Sequence, residues 1–368
     1  MKRKKHLQAA RIAGATALFL LLGRPAAHAQ DTTFASNGGF DPDRVIDLTH
    51  RLTLRVYGST KFNSMDLEDG RQSSRITYRP NTNVNLGVGA SYRSLTLNIG
   101  VGFPFLNGDQ ELRGRTRYFD AQGNMYGRRY AINLFAQVYQ GYYIDALSYP
   151  GSAAGDPLYQ SIIDHDRLRP DMHQENLGAS VIYIVNNRKF SYRAAFNQDA
   201  WQRRSAGSML VGGYADYQGM RSDRTEIPTP VDTLFDPALR FRRIDLYELG
   251  GLFGYVHTFV IGHHVFLSAS FAGGIGLGRS ETFFPEAEGD TSRVHLGLEL
   301  RIQQRLAFGY NGNHACVGVS YTNERSTANL GPDVTYGWNV GNFRLFVAYR
   351  IPVRIGIIEK AMRRLKGT

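Results

Sequence analysis

"TNVNLGVGASYRSLTLNIGVGF" (residues 82–103) contains two nearly perfect alternations, one on each side of a turn at 92–94. Val84, Leu86, Val88, Ala90 and Tyr92 oppose Asn83, Asn85, Gly87, Gly89 and Ser91; then Leu95, Leu97, Ile99, Val101 and Phe103 oppose Thr96, Asn98, Gly100 and Gly102. A period of two puts alternate side chains on opposite faces of a strand. Here one face is oily and the other is small, polar and uncharged. A sheet with hydrocarbon outside and wettable groups inside requires that division, because lipid offers no hydrogen-bond partner to a polar side chain or a free backbone edge.

The same period runs through most of the chain after residue 50. Leu52, Leu54 and Val56 alternate with Thr53, Arg55 and Tyr57, and Tyr130, Ile132, Leu134, Ala136 and Val138 form another apolar row. Val294, Leu296, Leu298, Leu300 and Ile302 oppose His295, Gly297, Glu299, Arg301, Gln303 and Arg305, and Phe343, Leu345, Val347, Tyr349 and Ile351 oppose Arg344, Phe346, Ala348 and Arg350. Counted coarsely there are twelve segments: 48–65, 78–92, 94–105, 128–145, 174–186, 189–200, 205–218, 242–260, 263–279, 291–309, 313–325 and 336–351. Most exceed the roughly 9–11 residues of a tilted membrane strand and the roughly 5–6 of a soluble one.

Tight turns at 92–94, 261–264 and 310–313 alternate with longer polar loops at 66–77, 106–127, 219–241, 280–290 and 326–335. Short periplasmic turns and long outer loops are the plan of an outer-membrane barrel. Two connections strain it: 146–173 becomes a long periplasmic segment and "NNRK" (186–189) a very short outer one. Tyr139, Tyr142 and Tyr143, and Phe253, Tyr255 and Phe259, cluster toward segment ends, where rings suit the headgroup level. The expected fold is therefore all-β: a transmembrane antiparallel up-and-down barrel of about 12 strands. A barrel of that size has a narrow or partly plugged lumen. A soluble periplasmic β-sandwich is the alternative.

The first residues, "MKRKKHLQAARIAGATALFLLLGRPAAHAQ", show a basic start, an apolar run over 13–22 and small residues ahead of Gln30. That is the plan of a signal peptide cleaved after residue 29. Removing it takes six of the 43 Lys and Arg and none of the 32 Asp and Glu, leaving 37 against 32, a net charge of +5. A nucleic-acid partner loses its main support. Cys316 is the one cysteine of 368 residues, so no intramolecular disulfide forms. The expected organisation is signal peptide 1–29, periplasmic lead-in 30–47, barrel 48–351 and a basic amphipathic tail 352–368 that carries Ile355, Ile358, Met362 and Leu365 at helical spacing.

At "YRPNTNVNLGVGASYRSLTLNIGVGFPFLN" (78–107), "RPDM" (169–172), "FSYRAAFNQ" (190–198) and "QRRSAGSMLVGG" (202–213) the chain resembles an uncharacterised family of exported bacterial β-barrel proteins, domain of unknown function 4421. The resemblance spans roughly 45–350, by strand count. It implies an outer-membrane barrel in Gram-negative bacteria with no assigned reaction, and it carries over no catalytic residue. The tail 352–368 stands outside it.

The chemistry legible in the residues is sparse. "DHDRLRPDMHQEN" (164–176) holds Asp164, His165, Asp166, Asp171, His173 and Glu175, yet no regular element converges them on a metal, and Arg167 and Arg169 supply counter-charge. A membrane-embedded lipid hydrolase would need a serine activated by a histidine. His257, His295, Ser205 and Ser208 are present, and no spacing fixes a pair, so the catalytic residues are unknown. The glycine runs precede no helix and are not phosphate loops.

Alternation places Asn83, Asn85, Asn98, Glu299, Arg301 and Arg305 in the lumen, where Arg and Glu form either an ion-pair ladder or a selectivity ring. Arg203 and Arg204, in "WQRRSAG", are candidates for contact with lipid phosphate. The expected function is a narrow channel or a structural or binding barrel, without a cofactor or a metal. Its partners would be outer-membrane lipid and small solutes or ions.

Overall fold

The computed structural model describes residues 37–82, 84–93, 95–102, 110–153, 156–286, 289–353 and 356. The segment 1–29 expected to be a signal peptide and most of the tail lie outside these. The alternating segments form β1 (Val45–Asp47), β2 (Leu52–Asp69), β3 (Ser74–Arg79), β4 (Val84–Tyr92), β5 (Leu95–Gly102), β6 (Arg117–Tyr126), β7 (Tyr130–Ser148) and β8 (Leu168–Ile184). There follow β9 (Ala200–Gln202), β10 (Ala206–Arg221), β11 (Arg243–Ile261), β12 (Val265–Glu286), β13 (Gly289–Asn311), β14 (Ala315–Gly331) and β15 (Val334–Ile351). Short helices α1 (Gln110–Arg113), α2 (Pro157–His165) and α3 (Tyr192–Phe196), and 3-10 turns at Thr229–Leu234 and Pro237–Leu239, occupy connections.

The last strand returns to the first long one. β15 lies antiparallel to β2 over its whole length, with Ile351 opposite Leu52 and Val334 opposite Asp69. The circuit β2-β3-β7-β8-β10-β11-β12-β13-β14-β15-β2 closes a single antiparallel barrel, so the sandwich alternative does not hold. The circuit has ten strands, where segment counting predicts twelve.

Three local events explain the difference. The expected strand 78–92 is two pieces, β3 and β4, which lie end to end along β2 and are interrupted at Pro80, whose nitrogen cannot donate to a ladder. The expected strand 189–200 is not in the wall, because it folds as α3 and the start of β9. β5 and β6 are additions, β5 attached to β4 and β6 to β7, and no pairing joins the two among the described residues. Below β3 the wall therefore widens and carries a seam.

The two strained connections also resolve. The rim holding the turns at 262–264 and 312–314 and the end of β15 also holds the connection 185–205. The opposite rim holds 70–73, 149–167 with α2, 222–242 and 332–333. The long segment after β7 thus belongs to the rim far from the chain ends, and the β8–β10 connection to the near rim, the reverse of the sequence expectation.

Away from the far rim the outward rows are mostly apolar: Leu249, Ile261, Leu277 and Leu296 are each about 70% exposed or more (69%, 72%, 71% and 74%). A continuous apolar belt of this kind is far larger than the patches tolerated on a protein in water. Among the described residues no helix is long and apolar enough to cross a membrane. That says nothing of the strands.

Candidate functional site: the barrel lumen

The small face of the opening stretch has a specific use. A Cβ at Gly87 would overlap the Tyr57 ring and sit 2.7 Å from the Ile99 carbonyl oxygen, and one at Gly89 would lie 2.7 Å from Cγ of Arg55. The glycines of β4 thus let Tyr57 and Arg55 of β2 lie flat along the inner wall. They fill the lumen by proxy rather than keeping it clear.

Both rims are closed by inserted chain. At the near rim, 185–205 folds inward around α3 and is held by charged groups. Arg193 makes a two-point pair with Asp199 (3.1 and 2.8 Å). Arg350 donates through Nε to the Gln198 carbonyl (2.8 Å) and through Nη2 to Asn311 Oδ1 (2.8 Å). Gln198 adopts a left-handed backbone (φ 57°), uncommon for a residue with a Cβ. Asn311 Nδ2 donates to the carbonyls of Ala194 and Ala200 (3.2 and 3.1 Å), and β1 pairs with β9 beneath the plug.

At the far rim, 222–242 dips into the barrel. Ile227, Val231, Phe235, Leu239 and Phe241 are fully buried against Met65, Leu67, Ile76, Tyr78, Tyr142 and Trp338. Arg169 holds this cap. It pairs with both oxygens of Asp171 (3.0 Å each) and donates to the backbone carbonyls of Thr225 (3.1 Å) and Arg224 (3.4 Å). Burial pushes the Glu226 carboxyl up to about 7, against the pull of the Arg169 guanidinium and the Ser222 hydroxyl.

Between the plugs lies a polar interior of two unlike halves. In the middle, Arg301 contacts Asp216 and Glu248 (2.5 Å each) and Glu324 (2.6 Å), and its guanidinium stacks 3.9 Å from the centre of the Tyr214 ring. Gln218 bridges Asp216 (3.1 Å), Glu248 (3.2 Å) and Ser326 (3.0 Å). Glu299, 2% exposed, adds a fourth carboxylate. Toward the near plug the sign reverses. Arg55 donates to Asn98 Oδ1 (3.0 Å), Ser91 Oγ (2.5 Å) and the Asn197 carbonyl (2.8 Å). Arg305 donates to the Tyr126 hydroxyl (2.7 Å) and Asn133 Oδ1 (3.1 Å). Arg344 lies 4.5 Å from the centre of the Tyr57 ring.

Residues 47–351 match the family described as Domain of unknown function (DUF4421). The chain belongs to this family. No curated protein matches it. Among solved structures it is similar to the outer membrane protease OmpT from Escherichia coli, at 7% identity and TM-score 0.39, over 83% of this chain and 98% of that one. It is also similar to the translocator domain of the autotransporter NalP from Neisseria meningitidis, at 8% identity and TM-score 0.30, over 95% and 96% of the two chains. The toluene transporter TodX from P. putida aligns at 8% identity and TM-score 0.17, over 87% and 93%. Superpositions this loose carry no function across.

In this DUF4421 chain the residues singled out by sequence are placed as follows. Asn85, Glu299, Arg301 and Arg305 lie on the inner face. Asn98 also points inward but is exposed, because its strand, β5, borders the seam. Asn83 lies outside the described residues. Arg203 and Arg204 sit at the near rim, Arg203 with its guanidinium 5.5 Å from the Trp201 ring centre.

The candidate metal cluster is drawn apart. Asp166 pairs with Arg224 (2.7 Å), Asp171 with Arg169, and His173 with Glu175 (3.0 Å), and no group of three converges among the described residues. Ser208 is buried on the inner face and its hydroxyl accepts from the Asn186 amide, whereas His257 shares the outer row with Tyr255 (3.0 Å). Serine and histidine meet only through backbone carbonyls, at His165–Ser161 (3.0 Å) and Ser280–His295 (3.5 Å); no serine hydroxyl bonds to a histidine ring among the described residues. Sequence reasoning missed Asp216, Glu248 and Glu324. Each faces inward, Glu248 on an otherwise apolar row with Ile244, Leu246, Leu252 and Val256, and only the register, with Asp216 opposite Glu248, brings them to Arg301.

Proposed function

We propose that this DUF4421 protein is an integral outer-membrane β-barrel that binds a ligand inside a closed lumen rather than passing solutes through an open pore. The observation that carries this reading is the pair of inserted segments, 185–205 and 222–242, each fixed by buried arginines to opposite rims of one barrel. The apolar outer belt supports a bilayer as its solvent. Tyr130 and Tyr183, with ring centres 5.4 Å apart, and Tyr255, Tyr310 and Tyr349 ring the near rim as interfacial aromatics do. An outer-membrane location is supported by this belt and by the export signal expected over 1–29. The lipid-hydrolase alternative has no assembled nucleophile and base among the described residues to support it.

The test is conductance of the refolded protein in a planar bilayer. The intact chain is expected to insert without steady current, and a variant lacking 225–240 to show discrete steps. Steady steps from the intact chain would establish the narrow channel instead.

A further inference from the structure

We infer that the lumen beside the near plug is a site for a phosphate-class oxyanion, formed by Arg305, Arg344 and Arg55 with the hydroxyls of Ser320 and Thr322. The inference deepens the binding-barrel reading and rests on it. Register builds the site: Arg305 on β13 stands opposite Thr322 on β14, and Ser320 stands opposite Arg344 on β15. Three neighbouring strands therefore present a guanidinium, two hydroxyls and a second guanidinium on one inner face. All four residues are only half-buried. Their side chains lie on the inner row between the two plugs, so that residual accessibility faces the lumen and the seam beside β5.

Among the described residues no carboxylate forms a salt bridge with Arg55, Arg305 or Arg344. The Arg344 guanidinium makes no side-chain hydrogen bond or ion pair among the described residues and lies over the Tyr57 ring. Among the described residues, Arg55 lies within electrostatic reach of Arg344, as do Tyr57 on β2 and Tyr126 on β6, and Lys61 stands two positions along the same inner row of β2, paired with Asp120. The nearest carboxylates are already engaged, Glu324 by Arg301 (2.6 Å) and Asp199 by Arg193 (2.8 Å). Like charges desolvated together repel and lose hydration, and bound water cannot neutralise them. An oxyanion removes both penalties. A tetrahedral phosphate group offers enough acceptor oxygens for two guanidinium forks and two hydroxyls at once, where a carboxylate would leave donors idle.

Free phosphate and the phosphate of a lipid headgroup share this chemistry, and binding to the full chain folded in a phosphorus-free nonionic detergent separates them. One arm uses radiolabelled inorganic phosphate in equilibrium dialysis; the other uses mixed micelles containing phosphatidate. Saturable binding of one equivalent in either arm is expected, weakened about tenfold or more by Arg344→Gln, as loss of a charge-assisted pair requires, and unchanged by Arg71→Gln, an exposed arginine at the far rim. If Arg344→Gln does not fold, Ser320→Ala with Thr322→Val makes the same measurement. Folded native protein that takes neither ligand, or an Arg344→Gln protein that binds as the native one does, would overturn the site. Conductance on the same preparation keeps the two readings apart. A silent barrel without phosphate sinks only the oxyanion site, and a conducting barrel that binds phosphate through Arg344 sinks only the closed lumen.

Discussion

At the residue scale, two inner-wall features carry measurable consequences. Gly87 has the Tyr57 ring and the Ile99 carbonyl where a Cβ would go, whereas Gly273 on the outer face has nothing within 4 Å. Gly87→Ala is expected to destabilise the barrel by about 1–3 kcal/mol through overpacking. Gly273→Ala should stay within roughly 0.5 kcal/mol. Urea unfolding in detergent compares the two, and equal stabilities would mean that Tyr57 does not lie on β4. Arg301 is the second feature. Its loss leaves Asp216, Glu248 and Glu324 facing one another, so Arg301→Gln should cost about 3–5 kcal/mol, the usual penalty for breaking a buried charge network from one side. A loss under 1 kcal/mol in the same assay would show that water, not Arg301, balances those acids.

At the element scale, the far cap and the seam behave differently from the rest of the wall. Glu226 meets Arg169, Asp171, Arg224, Ser222 and Tyr78 across the cap interface. Its carboxyl in the folded cap titrates at about 7, above the ordinary 4.5. The stabilisation it contributes is therefore complete below pH 4.5 and is lost as pH rises through about 7. Proteolytic cleavage within 222–242 should accelerate over that window in the native chain and show no such step in Glu226→Gln. A pH-independent native rate would remove Glu226 from the cap's control. At the seam, the outer edges of β5 and β6 have no strand partner among the described residues. Half of their amides should exchange with solvent deuterium well ahead of those in β12 and β13, which pair from end to end. Uniform protection would mean the seam is zipped.

At the scale of the whole molecule, a ten-strand circuit lies just above the eight-strand barrels that side chains alone fill. This barrel fills the difference with folded chain from both rims and with charge from the wall. The acidic middle and basic floor are separated along the barrel axis by one turn of sequence logic: Arg301 and Arg305 are four residues apart on β13, yet one stands among carboxylates and the other among tyrosines. A molecule closed in this way is expected to hold rather than conduct, and the bilayer recording described above decides that.

The class of fold was legible in the sequence because side-chain alternation is local: Val84 to Phe103 state their two faces without reference to any other strand. Long strands, the outward apolar rows and the inward placement of Glu299, Arg301 and Arg305 follow from that period alone. What depends on pairing between distant strands was not legible. The interruption at Pro80 reads as continuous alternation until β2 is seen to pair with both pieces, and 190–198 reads as a strand until its carbonyls are seen to be claimed by Arg350, Asn311 and Arg55. The partners of Arg301, the bare charge of Arg344 and the ten-strand closure are likewise properties of register. Only the tertiary structure decides them, because a hydrogen bond or ion pair between residues 85 positions apart, such as Arg301 and Asp216, leaves no periodic trace in either segment.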